Sequence, residues 1–218
     1  MPITRRVLAA ALSLAGICGA FPLRLIGIAT AAEAADASND LSKPTSLPEM
    51  VLGASGAPVR IIEYAASTCP HCARFNRDVF PKLKSEFIDT GKVRYVFREF
   101  PLNIKDVACA MVARTIANND SGKYFAVIDV MFRQQDDLVK KTTDTLKRIA
   151  HQAGLGDQAV EDCLRDQATL DKIQADQKFA IDTLKIEGTP TFFVNGTMIV
   201  GEIEFEELSK RINSLLKT

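Results

Sequence analysis

Two cysteines two residues apart, Cys69-Pro70-His71-Cys72, carry the clearest chemistry in this chain. Thiols at that spacing sit one helical turn apart, close enough to join as a disulfide. The tetrapeptide follows the apolar run 59–64 (VRIIEY) and precedes Phe75, Val79, Leu83 and Phe87 at every fourth position. The first stretch reads as a buried strand. The second reads as an amphipathic helix over residues 70–88, kinked at Pro81, which has no amide hydrogen to donate. Cys69 therefore stands at a helix N-terminus, where unpaired amides and the helix dipole stabilise an anion, and its thiol pKa is expected to fall. His71 offers positive charge nearby. A stabilised thiolate favours the reduced dithiol, so the oxidised pair becomes a strong oxidant and Cys69 a good leaving group. The competing readings of the motif are an inert disulfide and a soft-metal site. No second C-x-x-C completes a four-ligand set, so no metal site is expected.

The surrounding elements follow from hydrophobic periodicity. Residues 93–97 alternate as a second strand, which makes a βαβ unit with the first strand and the helix. Helical patterns then run from Cys109 to Leu184, punctuated by Gly122, Gly154 and Gly156. Residues 191–194 and 197–200 flank Asn195-Gly196, a turn pair that tolerates positive φ and so signals a hairpin. A last amphipathic helix carries Phe205, Leu208, Ile212, Leu215 and Leu216. The expected plan is α/β: residues 59–101 as the first half of a sheet domain, 102–186 as a helical insertion packing as a second lobe, and 187–218 as the second half. Residues 37–58 read as a loose leader with one short strand at 50–52.

The start of the chain sets the expected compartment. Arg5-Arg6 precede an almost uncharged stretch at 7–23, and small residues follow at 29–37, the order of a secretory signal peptide over residues 1–36. Pro22 and Arg24 interrupt the run that a membrane span requires. Cleavage removes Cys18 and leaves Cys69, Cys72, Cys109 and Cys163, an even count that suits two disulfides in an exported protein. The 27 basic and 27 acidic residues cancel, which argues against a nucleic-acid or membrane-surface binder. A hydrophobic content of 47% argues against disorder.

Cys69-Pro70-His71-Cys72 after Glu63-Tyr64, together with Gly188-Thr189-Pro190-Thr191-Phe192-Phe193-Val194-Asn195-Gly196 downstream, resembles the DsbA-type periplasmic thiol:disulfide oxidoreductases. The resemblance covers residues 48–218. It implies a thioredoxin fold with a helical insertion, a periplasmic location, and a cis Pro190 facing the dithiol, with the Thr189 backbone free to pair with an extended substrate. It also implies that Glu63 is a buried acid moving protons to or from Cys72, and that Cys109 and Cys163 form a second, structural disulfide; apart from the resemblance, Arg94 and Arg98 flank a strand, and either is a candidate to neutralise Glu63. The implied function is a monomeric dithiol oxidase, with Pro70 and His71 assisting. It would act on unfolded or reduced exported proteins and be reoxidised by a quinone-linked membrane partner of the DsbB or VKOR type. No dissociable cofactor is implied, because the cysteines carry the electrons. Thr189 also stands before this proline in isomerase-like and reductase-like relatives, which makes an isomerase or reductase the nearest alternative. A copper chaperone binding through the thiols is the alternative outside enzymes.

Overall fold

The computed structural model describes residues 40–43 and 45–217, so the expected signal peptide lies outside the described residues. Five strands form one sheet: β1 (Met50–Leu52), β2 (Val59–Ala65), β3 (Val93–Glu99), β4 (Thr191–Val194) and β5 (Thr197–Val200), in the order β1-β3-β2-β4-β5. Strands β2 and β3 are parallel, while β1, β4 and β5 join antiparallel to their neighbours. The central strands are apolar on both faces because both faces are covered. Ile61 and Ala65 point into one hydrophobic cluster, and Ile62 and Tyr64 into a second on the opposite side. Glu63 alternates onto the first face and is buried there.

The connection from β2 to β3 departs from the continuous helix expected over 70–88. It divides into α1 (Pro70–Asp78), α2 (Phe80–Leu83) and a wider π-helical turn, Lys84–Ile88. Pro81 accounts for the break. Its ring displaces the carbonyl four residues earlier, that of Arg77, so the helix parts ahead of the proline rather than at it. The phenylalanine stripe still faces inward, with Phe75, Leu83 and Phe87 all buried.

Six helices lie between β3 and β4: α3 (Ile104–Ala117), α4 (Ser121–Arg133), α5 (Gln135–Lys140), α6 (Thr142–Gln152), α7 (Asp157–Leu164) and α8 (Gln167–Asp182). A final helix, α9 (Phe205–Leu215), follows β5. The insertion has no separate core. Met131, Leu138, Leu146 and Ile149 share one cluster with Ile61, Tyr95 and Phe192 of the sheet. Burying each such side chain contributes roughly 1.5–3 kcal/mol. No helix among the described residues is long and apolar enough to cross a membrane.

The leader is held more firmly than its composition suggests. Leu41 and Met50 are buried. Asp176 of α8 accepts from the amides of Ser46 and Leu47, and Glu49 accepts from both Arg60 and Arg98. Arg98 thus serves Glu49, the Tyr64 hydroxyl and the Leu41 carbonyl. It is not the counter-ion of Glu63.

Candidate active site

Cys69 is the N-cap residue of α1, with extended backbone, and Pro70 occupies the first helical position. Proline suits that place because its missing N–H would have no partner in the first turn. The amides of His71 and Cys72 therefore point back at the Cys69 sulfur and help to hold its charge. Across the sheet, the Thr189-Pro190 peptide bond is cis. It sets the Thr189 carbonyl 3.3 Å from Cys69 Sγ, and the thiol donates to it. The Thr189 hydroxyl is buried without a partner in this state. It becomes a donor to the sulfur once the sulfur is ionised.

The two thiols, both free in this structure, differ sharply. The Cys69 pKa is pulled down to about 5, first by a hydrogen bond from the Cys72 thiol and then, against the cost of burial, by Thr189 and the helix amides. Cys72 is fully buried. Burial, then the neighbouring Cys69, then the Glu63 charge hold it far above the ordinary thiol range. At neutral pH the reduced pair is one thiolate and one thiol.

Glu63 lies behind Cys72 on β2. Burial raises its pKa to about 8, against the lowering effect of a hydrogen bond donated by the Tyr95 hydroxyl to Oε2. Its other oxygen, Oε1, is buried with no partner. A carboxyl that titrates near neutrality with one oxygen unoccupied can take or return the Cys72 proton. Tyr95, on β3, was not among the expected site residues. It meets Glu63 as a neutral hydrogen-bond donor and not as the counter-ion for which Arg94 or Arg98 was a candidate, and the alternation of β3 puts Tyr95 on the face shared with Glu63.

Two further residues brace the loop ahead of the motif. Asp106, buried in the first turn of α3, accepts from the Thr68 amide at 2.7 Å, the Thr68 hydroxyl at 3.0 Å and the Leu102 amide at 3.0 Å. Gln135, opening α5, donates to the carbonyls of Ser67 and Cys69. Only Asn103, an N-cap three residues before an acid, offered a sequence hint of the first. Beyond the motif, the Glu202 carboxylate accepts from His71 Nδ1 and Arg74.

Cys109 and Cys163 are free thiols in this structure, as Cys69 and Cys72 are, and each has its own partner. Cys109 faces Ser67, and burial pushes its pKa up to about 12. Cys163 accepts from the Thr115 hydroxyl at 3.0 Å. Thr115 lies six residues beyond Cys109 on α3, which is about 9 Å along the axis and about 120° around it. The sequence pattern put both cysteines on helices of the insertion, but the helical register aims them at different neighbours.

A thiolate at a helix N-terminus, a buried partner thiol and a cis-proline opposite define the thioredoxin class of dithiol proteins. Comparison with known proteins agrees. The family model described as Thioredoxin matches residues 45–214. A putative protein-disulfide oxidoreductase of Rickettsia felis is 32% identical over 171 residues, 78% of this chain and 60% of the relative. A probable disulfide bond formation protein D of Bacillus cereus is 30% identical, covering 76% of this chain and 78% of that protein. The crystal structure of Wolbachia pipientis alpha-DsbA1 superposes with a TM-score of 0.74 at 35% identity, covering 82% of this chain and 95% of that one. The chain belongs to the thioredoxin family, on its DsbA-type branch. It spans about 60% of the length of the Rickettsia relatives it matches.

Proposed function

We propose that the protein is an exported dithiol oxidase that donates its Cys69–Cys72 disulfide to reduced proteins. The observation that carries this reading is the contrast within the motif, with Cys69 lowered to about 5 and Cys72 far above it. An ordinary thiol would be almost wholly protonated at pH 7. Ionisation of Cys69 therefore stabilises the reduced form by about 3 kcal/mol, which raises the potential of the pair by roughly 60 mV. This is the logic by which DsbA itself is known to be a strong oxidant.

The exchange runs in two displacements. A substrate thiolate attacks Cys69 Sγ, forming a mixed disulfide and expelling Cys72 as a thiolate, which takes a proton from Glu63. A second substrate thiolate then attacks the substrate sulfur of the mixed disulfide and expels Cys69 as the favoured leaving group. The substrate gains a disulfide, and the enzyme keeps two electrons. The Thr189 backbone beside the sulfur offers an edge for an extended client segment. Reoxidation would fall to a quinone-linked membrane protein of the DsbB or VKOR type. The N-terminal 36 residues would direct export to the periplasm and be removed.

Equilibration of the full chain against a glutathione series, with each cysteine tracked by mass, tests the reading. A potential well above the glutathione couple supports an oxidase. A potential near thioredoxin's, about −270 mV, replaces that reading with a reductase or isomerase kept reduced by a partner.

A further inference from the structure

Glu202 occupies a place that the exchange reaction does not require. It follows Gly201, whose φ of +86° turns the chain and whose amide donates to the Pro190 carbonyl at 2.8 Å. The loop that presents Glu202 is thereby tied to the cis-proline. The Glu202 carboxylate reaches back across the start of α1 and accepts from Nδ1 of His71. It also accepts from Nη1 of Arg74, one turn further along α1, at 2.8 Å. Both basic side chains on this face of α1 are thus directed to one carboxylate. The groups that chiefly hold the Cys69 anion are the Cys72 thiol, Thr189 and the amides of Cys72 and His71. His71 serves the sulfur through its backbone, while its ring faces Glu202.

We propose that Glu202 is a positioning residue that moderates the oxidising strength of the Cys69–Cys72 pair by holding the His71 ring against its own carboxylate, where the ring is not free to turn to the sulfur. The proposal rests on the reading of Cys69–Cys72 as the exchanging pair. Reduction of the pair takes two electrons and one proton and yields a thiolate at Cys69 and a thiol at Cys72, so negative charge appears at Cys69 only in the reduced state. An imidazole free to turn toward the sulfur would favour that charge. Removing the carboxylate releases the ring, and this favours the reduced enzyme.

The test is a double-mutant cycle on the full chain in one glutathione buffer at low salt, with wild type, Glu202→Gln, His71→Ala and the double variant. Both side chains are at the surface, so the variants should fold. The expected result is that Glu202→Gln moves the equilibrium toward the reduced enzyme by about two- to fivefold, the range of an exposed ion pair. In the His71→Ala background the same substitution should produce less than half that change. An unchanged equilibrium in Glu202→Gln overturns the proposal, as does a shift toward the oxidised enzyme. A shift that persists in full without His71 also overturns it, because Glu202 would then act as a bare charge and not through the ring. These outcomes are differences between variants. The wild-type potential, measured in the same series, judges the oxidase reading independently.

Discussion

Cys69 and Cys72 share one turn of helix yet differ in acidity because donors gather on Cys69, whereas burial, the hydrogen bond to Cys69 and the Glu63 charge all favour the protonated Cys72. Alkylation of the reduced protein by iodoacetamide should therefore modify Cys69 with a half-maximal rate near pH 5. Cys72, Cys109 and Cys163 should stay unmodified until the protein is denatured. Mass mapping of the alkylated peptides checks both statements, and a midpoint at pH 7 or above for Cys69 contradicts the first. Glu63 provides a second titration. Its folded pKa is raised from 4.5 to about 8, so the native state binds the extra proton. Its contribution to stability is fully present below pH 4.5 and is lost as pH rises through 8. Glu63→Gln has no such titration. In the oxidised protein, where neither active-site thiol titrates and burial alone raises Glu63, the wild type should lose stability relative to this variant as pH rises from 5 to 8. Urea denaturation across that range measures it, and a pH-independent difference would mean that Glu63 is ionised throughout.

At the scale of elements, the site is a loop held between two helix starts. Asp106 fixes Thr68 from α3, and Gln135 fixes Ser67 and Cys69 from α5. Asp106→Ala leaves three donors without their acceptor and should cost about 2–4 kcal/mol, with faster hydrogen exchange at the Thr68 and Leu102 amides. A loss below 0.5 kcal/mol would mean that water replaces the carboxylate without penalty. These braces explain what the sequence made legible. Strands β2, β3, β4 and β5 could be read because alternation, apolar runs and Asn195-Gly196 are local signals. The break at Val79 had a visible cause in Pro81 but not a visible position. The braces had no local signal, because they join residue 68 to 106 and residue 69 to 135. The Glu63–Tyr95 pair was half legible. The burial of Glu63 was implied by the resemblance, whereas its partner depended on the register between β2 and β3.

On the scale of the whole molecule, the insertion and the sheet share one hydrophobic cluster, so the helices cannot loosen without exposing the face that carries Glu63 and Tyr95. The cysteines of the insertion test how well this packing is placed. Cys163 accepts from the Thr115 hydroxyl at 3.0 Å, so Thr115→Cys should pair with Cys163 on oxidation, closing a loop worth roughly 2–4 kcal/mol. The parent protein under the same oxidant should gain only the Cys69–Cys72 bond. Non-reducing peptide mapping distinguishes the two, and a Cys109–Cys163 peptide from the parent would overturn the placement of α7 against α3.

The contact between Cys69 and Thr189 joins residues 120 positions apart. A chain made from its N-terminus at about 5–20 residues per second presents the Cys-Pro-His-Cys segment roughly 6–24 s before the threonine that completes its surroundings. During that interval Cys69 and Cys72 are two unassisted thiols on a nascent polypeptide, open to the oxidation and mispairing that threaten any newborn cysteine. For that interval the pair has the sequence of the motif without the surroundings that set Cys69 apart from Cys72.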